Sequence, residues 1–119
     1  MAKLLVNLTH GKDDPERTIL AFVTGNVAAS ADVEAVVLLT IEGVWNATKG
    51  YVKGIQKEGF PVLQEVVESF VKNGGQIWAC GTCTKPRGIT EADMIEGAKI
   101  VTAATAVEFL ASGASSLSF

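Results

Sequence analysis

Histidine and cysteine are scarce in this chain, with one His and two Cys among 119 residues. Structural zinc takes four ligands, so beyond the single cysteine pair it would need two more, and His10 is the sole histidine. No Gly-x-Gly-x-x-Gly or Walker sequence is present, and no bound metal or small cofactor is indicated. A basic excess is missing too. Ten Lys and Arg stand against thirteen Asp and Glu, a formal net charge of -3, which leaves no basic face for nucleic acid. No apolar run approaches the ~20 residues of a membrane span. Met1-Ala2-Lys3 leads straight into a strand-like segment without a signal-peptide layout. The expectation is a cytoplasmic chain with no membrane partner. In that setting two cysteines are catalytic or redox groups rather than a structural disulfide.

Apolar residues, by contrast, are plentiful at 48 % of the chain. Residues 1–119 are expected to form one domain, long enough for one core. For so small a chain the composition is apolar, which points to surface buried between subunits and hence to a homo-oligomer.

The order of elements reads as alternating strands and helices. Leu4 to Leu8 is a first strand. Asp14-Pro15 begins a helix, with Asp14 as N-cap and Pro15 in the first helical position. Ile19, Leu20, Phe22, Val23 and Val27 form its expected apolar stripe. Ala35 to Leu39 is a continuous aliphatic run, as in a parallel strand buried on both faces. The stretch from Ile41 to Gly59 reads as a long, glycine-punctuated functional loop with a short helical piece. Phe60 to Asn73 predicts the clearest helix, closed by Gly74. Gln76 to Ala79 is a third strand. Thr90 caps a short helix, Lys99 to Val101 is a brief strand, Thr102 to Ala111 a helix, and Ser116 to Phe119 a last strand. The alternation implies an α/β fold: three layers, with a mostly parallel sheet of about five strands flanked by helices.

Both cysteines fall in Cys80-Gly81-Thr82-Cys83, directly after the third strand. Strand C-terminal ends are where α/β folds place their chemistry. Four readings of the pair are open. Zinc fails on ligand count. A thioredoxin-like dithiol would use one cysteine to attack and the other to resolve. Against it, Pro86 and Gly88 interrupt the helix that would start at the motif. Buried, inert cysteines that pack as small hydrophobes are the third reading. The fourth is a nucleophilic thiol that carries sulfur as a persulfide.

Leu5-Val6-Asn7-Leu8-Thr9-His10-Gly11-Lys12-Asp13-Asp14-Pro15-Glu16-Arg17, Leu38-Leu39-Thr40-Ile41-Glu42-Gly43-Val44, Ala79-Cys80-Gly81-Thr82-Cys83-Thr84-Lys85-Pro86-Arg87-Gly88-Ile89 and the ending Ser116-Leu117-Ser118-Phe119 together carry a resemblance. The chain resembles the DsrE/DsrF-like family of small sulfur-transfer proteins over nearly its whole length. The resemblance implies a flavodoxin-like or YchN-like fold assembled as a homotrimer or a dimer of trimers (a hexamer). It also implies a cysteine after the third strand that accepts sulfane sulfur and passes it to a protein or thiol acceptor. Seven positions before the Arg-Gly step, that cysteine is Cys80; Cys83 matches a second cysteine found in some branches. Pro86 departs from the family pattern, where alanine is usual, and stiffens the loop.

The candidate catalytic residues are therefore Cys80 and Cys83. Lys85 and Arg87 would favour thiolate by positive charge, and backbone N–H groups around Gly81 would add hydrogen bonds. Solvated surface is the plain alternative for both cations. His10 follows the first strand and is either a proton shuttle or a loop cap. Glu42 follows the second strand. A carboxylate opposes thiol ionisation, so its roles are acid/base or loop anchor. Asp13 and Asp14 read as a helix cap before a metal pair. Trp45, Tyr51 and Phe60 either wall the cysteine site, fill a subunit interface or pack beneath the loop. A non-enzymatic oligomeric module with redox-responsive cysteines, or a dithiol–disulfide oxidoreductase, is the rival to sulfur carriage.

Overall fold

Strand alternation sorts the apolar residues onto two faces of one sheet, and the chain order decides which helices cover each. The computed structural model describes all 119 residues. Its elements are β1 (Lys3–Leu8), α1 (Pro15–Ser30), β2 (Glu34–Leu39), α2 (Leu63–Lys72), β3 (Gln76–Cys80), α3 (Gly81–Thr84), β4 (Ala98–Val101), α4 (Ala103–Ala111) and β5 (Ser115–Ser118). Tight 3-10 turns cover Ile41–Ala47, Val52–Gly54, Lys85–Arg87 and Glu91–Asp93.

The five strands are all parallel, in the order β4-β3-β2-β1-β5. From β1 to β4 the chain steps in one direction, so right-handed crossovers put α1 and α2 on the same face. The return from β4 to β5 runs the other way and puts α4 on the opposite face. Val6, Leu8, Val37, Leu39, Ile77 and Ala79 pack with Ile19, Phe22, Leu63 and Phe70 in a main core of 21 buried residues. Leu5, Val36, Trp78 and Val101 meet Phe109 of α4 in a second core of five. The second face is thinly covered: Val107 is 61 % exposed, Leu110 38 % and Leu117 48 %.

The α1 stripe differs from its expected form. Leu20 and Val27 are exposed, while Ala21, Gly25, Ala28 and Ala29 are buried beside Ile19 and Phe22. Small residues win the sheet-facing side because the helix lies close to β2. A Cβ on Gly25 would stand 3.1 Å from Val37 and 3.2 Å from Phe70. Asp14 caps α1 by accepting the Arg17 N–H at 3.0 Å, with Pro15 in the first turn. The α2 helix is shorter than the expected 60–73. Phe60 precedes Pro61, which disfavours helical backbone before it, and the helix begins at Leu63. Gly74 closes it with φ +92°.

No helix is long and apolar enough to cross a membrane.

Candidate functional site

The last residue of β3 is Cys80, and the backbone turns helical at once through α3. The turn is only four residues long and gives way to a 3-10 turn at Lys85–Arg87, the interruption expected at Pro86 and Gly88. A helical turn does start at the motif, with Cys80 in the N-cap position. Proline at the second position of the following 3-10 turn is tolerated because early N–H groups have no helical partner. Gly88, at φ +71°, ends the run only after Arg87.

This turn sets the electrostatics of Cys80. Burial pushes its thiol up, but the N–H groups of Cys83 and Thr82, the Cys83 thiol and the Thr82 hydroxyl pull it down, and the net shift is below the ordinary 9.0. These attractions are looser than a full capping hydrogen bond, which does not close on the sulfur. Lys85 and Arg87 are not the main pulls. Arg87 is spent elsewhere: its Nε and Nη2 donate to Glu42 Oε1 at 3.2 and 2.9 Å, and its Nη1 donates to the Cys83 carbonyl at 3.0 Å. Lys85 is exposed.

Cys83 is anchored from the next loop. The backbone N–H of Ile41 donates to Cys83 Sγ at 3.2 Å. Both cysteines are free and half-buried. Glu42, paired with Arg87, takes the geometry of a loop anchor that ties the β2 end to the turn after α3. Gly81 serves by its smallness and its carbonyl: a Cβ there would lie 3.3 Å from the Val101 carbonyl oxygen, and its C=O accepts the Thr84 hydroxyl at 3.2 Å.

His10 is drawn into a different cluster. Its Nδ1 lies 2.8 Å from Asp13 Oδ2, and Asp13 Oδ1 accepts the Gly11 N–H at 2.7 Å. The Gly11 N–H, then His10, hold the Asp13 carboxyl below its usual value. His10 follows β1, two strands from β3, a spacing of roughly 9–10 Å. Buried Asn46 locks this loop by donating to the carbonyls of His10 at 2.9 Å and Gly43 at 3.0 Å. Trp45 and Tyr51 stack at 6.3 Å, and with Phe60 they pack against the main core beneath the loop. The order of strands reverses between β1 and β5, so the cysteines do not sit at the switch point of the sheet.

No three His, Cys, Asp or Glu side chains gather into a group able to hold a metal ion. Four clefts of about 340 to 600 Å³ open on the surface, and neither cysteine lines them. The thiol site lies at the strand end, where β3 passes into α3. One cleft of about 340 Å³ borders it through Arg87.

A family model described as DsrE/DsrF-like family matches residues 2–119. The chain belongs to the DsrE/DsrF-like family. That family is generally associated with sulfur transfer. Among its relatives, uncharacterized protein MJ0760 of Methanocaldococcus jannaschii is 27 % identical over 91 % of this chain. The match takes in 39 % of that longer protein. Uncharacterized protein MK0008 of Methanopyrus kandleri is 31 % identical over 73 % of this chain and 69 % of its own. The crystal structure of the ychN protein from E. coli superposes over the whole of both chains with a TM-score of 0.80 at 20 % identity. It establishes the YchN-like α/β fold.

Two members of the site were not foreseen. Thr82 lay inside the cysteine motif, and its position as the second residue of a helical turn would have marked its N–H as a donor. Ile41 carried no signal, because a backbone donor in an unusual conformation leaves no trace in residue type.

Proposed function

We propose that the protein carries sulfane sulfur as a persulfide on Cys80 and passes it to a protein or thiol acceptor. The observation that supports this most is the strand-end thiol faced by two backbone N–H groups, with its ionisation shifted downward. A thiolate is the nucleophile, and the same donors would stabilise a persulfide anion. Cys83 either assists that transfer or releases the sulfur instead: its attack on the inner sulfur would expel hydrosulfide and leave a disulfide for an external thiol to reduce. A homo-oligomer, trimer or hexamer, belongs to this reading. Its support is the thinly covered α4 face with Val107, Leu110 and Leu117 exposed.

A second reading, dithiol–disulfide exchange, gains from the helical turn that begins at Cys80 and brings the Cys83 thiol to bear on it. Intact mass after polysulfide treatment separates the two. Reductant-sensitive gain of sulfur, absent in Cys80→Ser, is the expected result. A mass lower by two hydrogen atoms in the native chain, with no sulfur gain on Cys83→Ser, favours exchange, and an unchanged mass removes both. Sedimentation as a monomer at micromolar concentration would remove the oligomer.

A further inference from the structure

Two non-glycine residues stand at positive φ, Asp32 at +62° and Ile41 at +56°. Aspartate tolerates that region, whereas a β-branched residue has to be held there. Burial does not hold Ile41, which is 54 % exposed. Its N–H donates to Cys83 Sγ at 3.2 Å, so the strained peptide leans on one of the two thiols.

Fixed points flank that peptide. Before it, the Thr40 N–H donates to the Leu8 carbonyl at 3.0 Å and the Thr40 hydroxyl to Asn7 Oδ1 at 3.1 Å. After it, Glu42 pairs with Arg87, and Val44 and Ala47 are buried. The peptide joining Thr40 to Ile41 has two ties of its own. Its N–H faces the sulfur, and its carbonyl accepts the Gly43 N–H at 2.9 Å. The Gly43 N–H also reaches the Thr9 carbonyl at 3.2 Å, so it keeps an acceptor if Thr40 withdraws. Half a turn of this one peptide carries Ile41 to negative φ and gives its N–H to water. The same turn puts the Thr40 carbonyl oxygen where the N–H stood, beside the sulfur, and a thiolate repels that oxygen.

We propose that this peptide is a redox latch: reduced Cys83 holds it over, formation of a Cys80–Cys83 disulfide lets it turn back, and the surface beside the thiols changes with oxidation state. The latch rests on the disulfide that the release and exchange readings of the site share. The oxidant is a small disulfide such as oxidised glutathione. The Cys80 thiolate attacks one of its sulfurs and expels a thiolate. Cys83 then attacks the Cys80 sulfur and expels the second thiolate, which takes the Cys83 proton. The cysteine pair loses two hydrogen atoms in all, and the small disulfide becomes two thiols. Cys83 Sγ now lies at bonding distance from Cys80, about 2.05 Å, and has no charge to offer, so its hold on the Ile41 N–H weakens. One hydrogen bond and the strain of one left-handed residue are similar in size, so weakening the bond is enough to tip the peptide. Ile41 is a large exposed apolar side chain next to the thiols, so a protein partner meets a different contact before and after exchange.

The test compares the full chain in dithiothreitol with the full chain in excess oxidised glutathione, the internal disulfide being confirmed by a mass lower by two hydrogen atoms. The N–H to Hα coupling of Ile41 reports its φ. It should read positive φ in the dithiol and negative φ in the disulfide, with Ile41 amide exchange about fivefold faster. Cys83→Ala in dithiothreitol should show the coupling of the disulfide without oxidation, and Cys80→Ser that of the dithiol. The effect is reciprocal. Glycine removes the strain, so Ile41→Gly should move the equilibrium in a glutathione buffer toward the dithiol by about fivefold or more. A coupling unchanged by oxidation overturns the latch alone, as does an equilibrium indifferent to Ile41→Gly. A chain that forms no internal disulfide overturns the latch and the exchange reading together. Sulfur carriage is judged apart from both, by persulfide loading of Cys83→Ser, in which no internal disulfide can form.

Discussion

The backbone N–H of Ile41 donates to Cys83 Sγ at 3.2 Å, with Ile41 held at φ +56°. A β-branched residue in the left-handed region is an outlier, and its side chain is 54 % exposed, so burial does not account for it. The conformation turns the chain sharply after β2 and brings the loop back across the end of β3. One strained peptide thereby links the second and third strand ends at the cysteines.

Ile41→Gly should relieve that strain. The left-handed conformation costs a non-glycine residue about 1–2 kcal/mol, and glycine's greater freedom in the unfolded chain returns roughly 0.5–1 kcal/mol. Urea unfolding should show a variant between neutral and about 1.5 kcal/mol more stable. Destabilisation beyond about 1 kcal/mol would mean that the side chain, not the peptide, is what the site uses.

Cys80 should react with iodoacetamide with a midpoint below pH 9.0, because the N–H groups of Cys83 and Thr82, the Cys83 thiol and the Thr82 hydroxyl together outweigh burial. Cys83→Ala removes the thiol that donates to Cys80 and should move the midpoint up; Cys83→Ser keeps a donor and should move it less. The same shift has a stability consequence. A depressed folded-state value contributes stability that is fully present above pH 9.0 and is lost as pH falls through the folded value. Unfolding free energy of the native protein relative to Cys80→Ser should therefore rise with pH up to about 9. A flat difference across that window contradicts the shift.

Much of this architecture is written in the residue order. The aliphatic run at 35–39, the Asp14-Pro15 helix start and the strand leading into Cys80 all appear where periodicity and capping put them, because local rules and the sheet agree there. The α1 face was misread since hydrophobicity favours Leu20 and Val27, whereas close approach to Val37 and Phe70 favours Gly25 and the alanines. At the site, residue types located the thiols but not their partners. Arg87 looks like a thiolate activator in sequence; only the fold brings it to Glu42, 45 positions away. His10 shares the strand-end edge, yet Asp13, three residues on, captures its ring.

Gly43 permits the same loop to pass. A Cβ there would lie 2.2 Å from the carbonyl oxygen of Leu8, and the Gly43 N–H donates to the Thr9 carbonyl at 3.2 Å. Backbone cannot give way as a side-chain tip can. Gly43→Ala should cost on the order of 1–3 kcal/mol, in the range of overpacking changes, and should loosen the Ile41–Cys83 contact. Thermal unfolding and faster amide exchange at Ile41 check this. A variant with native stability would show that the 41–47 turn shifts freely and does not fix the site.

Glu42 tests whether Arg87 is an anchor or an activator. The pair is partly exposed, 47 % for Glu42 and 24 % for Arg87, so its loss should cost no more than about 1 kcal/mol. Reactivity is the sharper readout. In Glu42→Gln the guanidinium keeps a polar partner but loses its counter-charge beside the cysteine turn. An uncompensated cation favours thiolate, so the Cys80 alkylation midpoint should move down, opposite to the shift in Cys83→Ala. A midpoint that moves up would mean that the pair holds α3 in shape and that its loss withdraws the N–H groups from the sulfur. Amide exchange across Gly81–Thr84 distinguishes that collapse, since the charge effect alone leaves those amides protected.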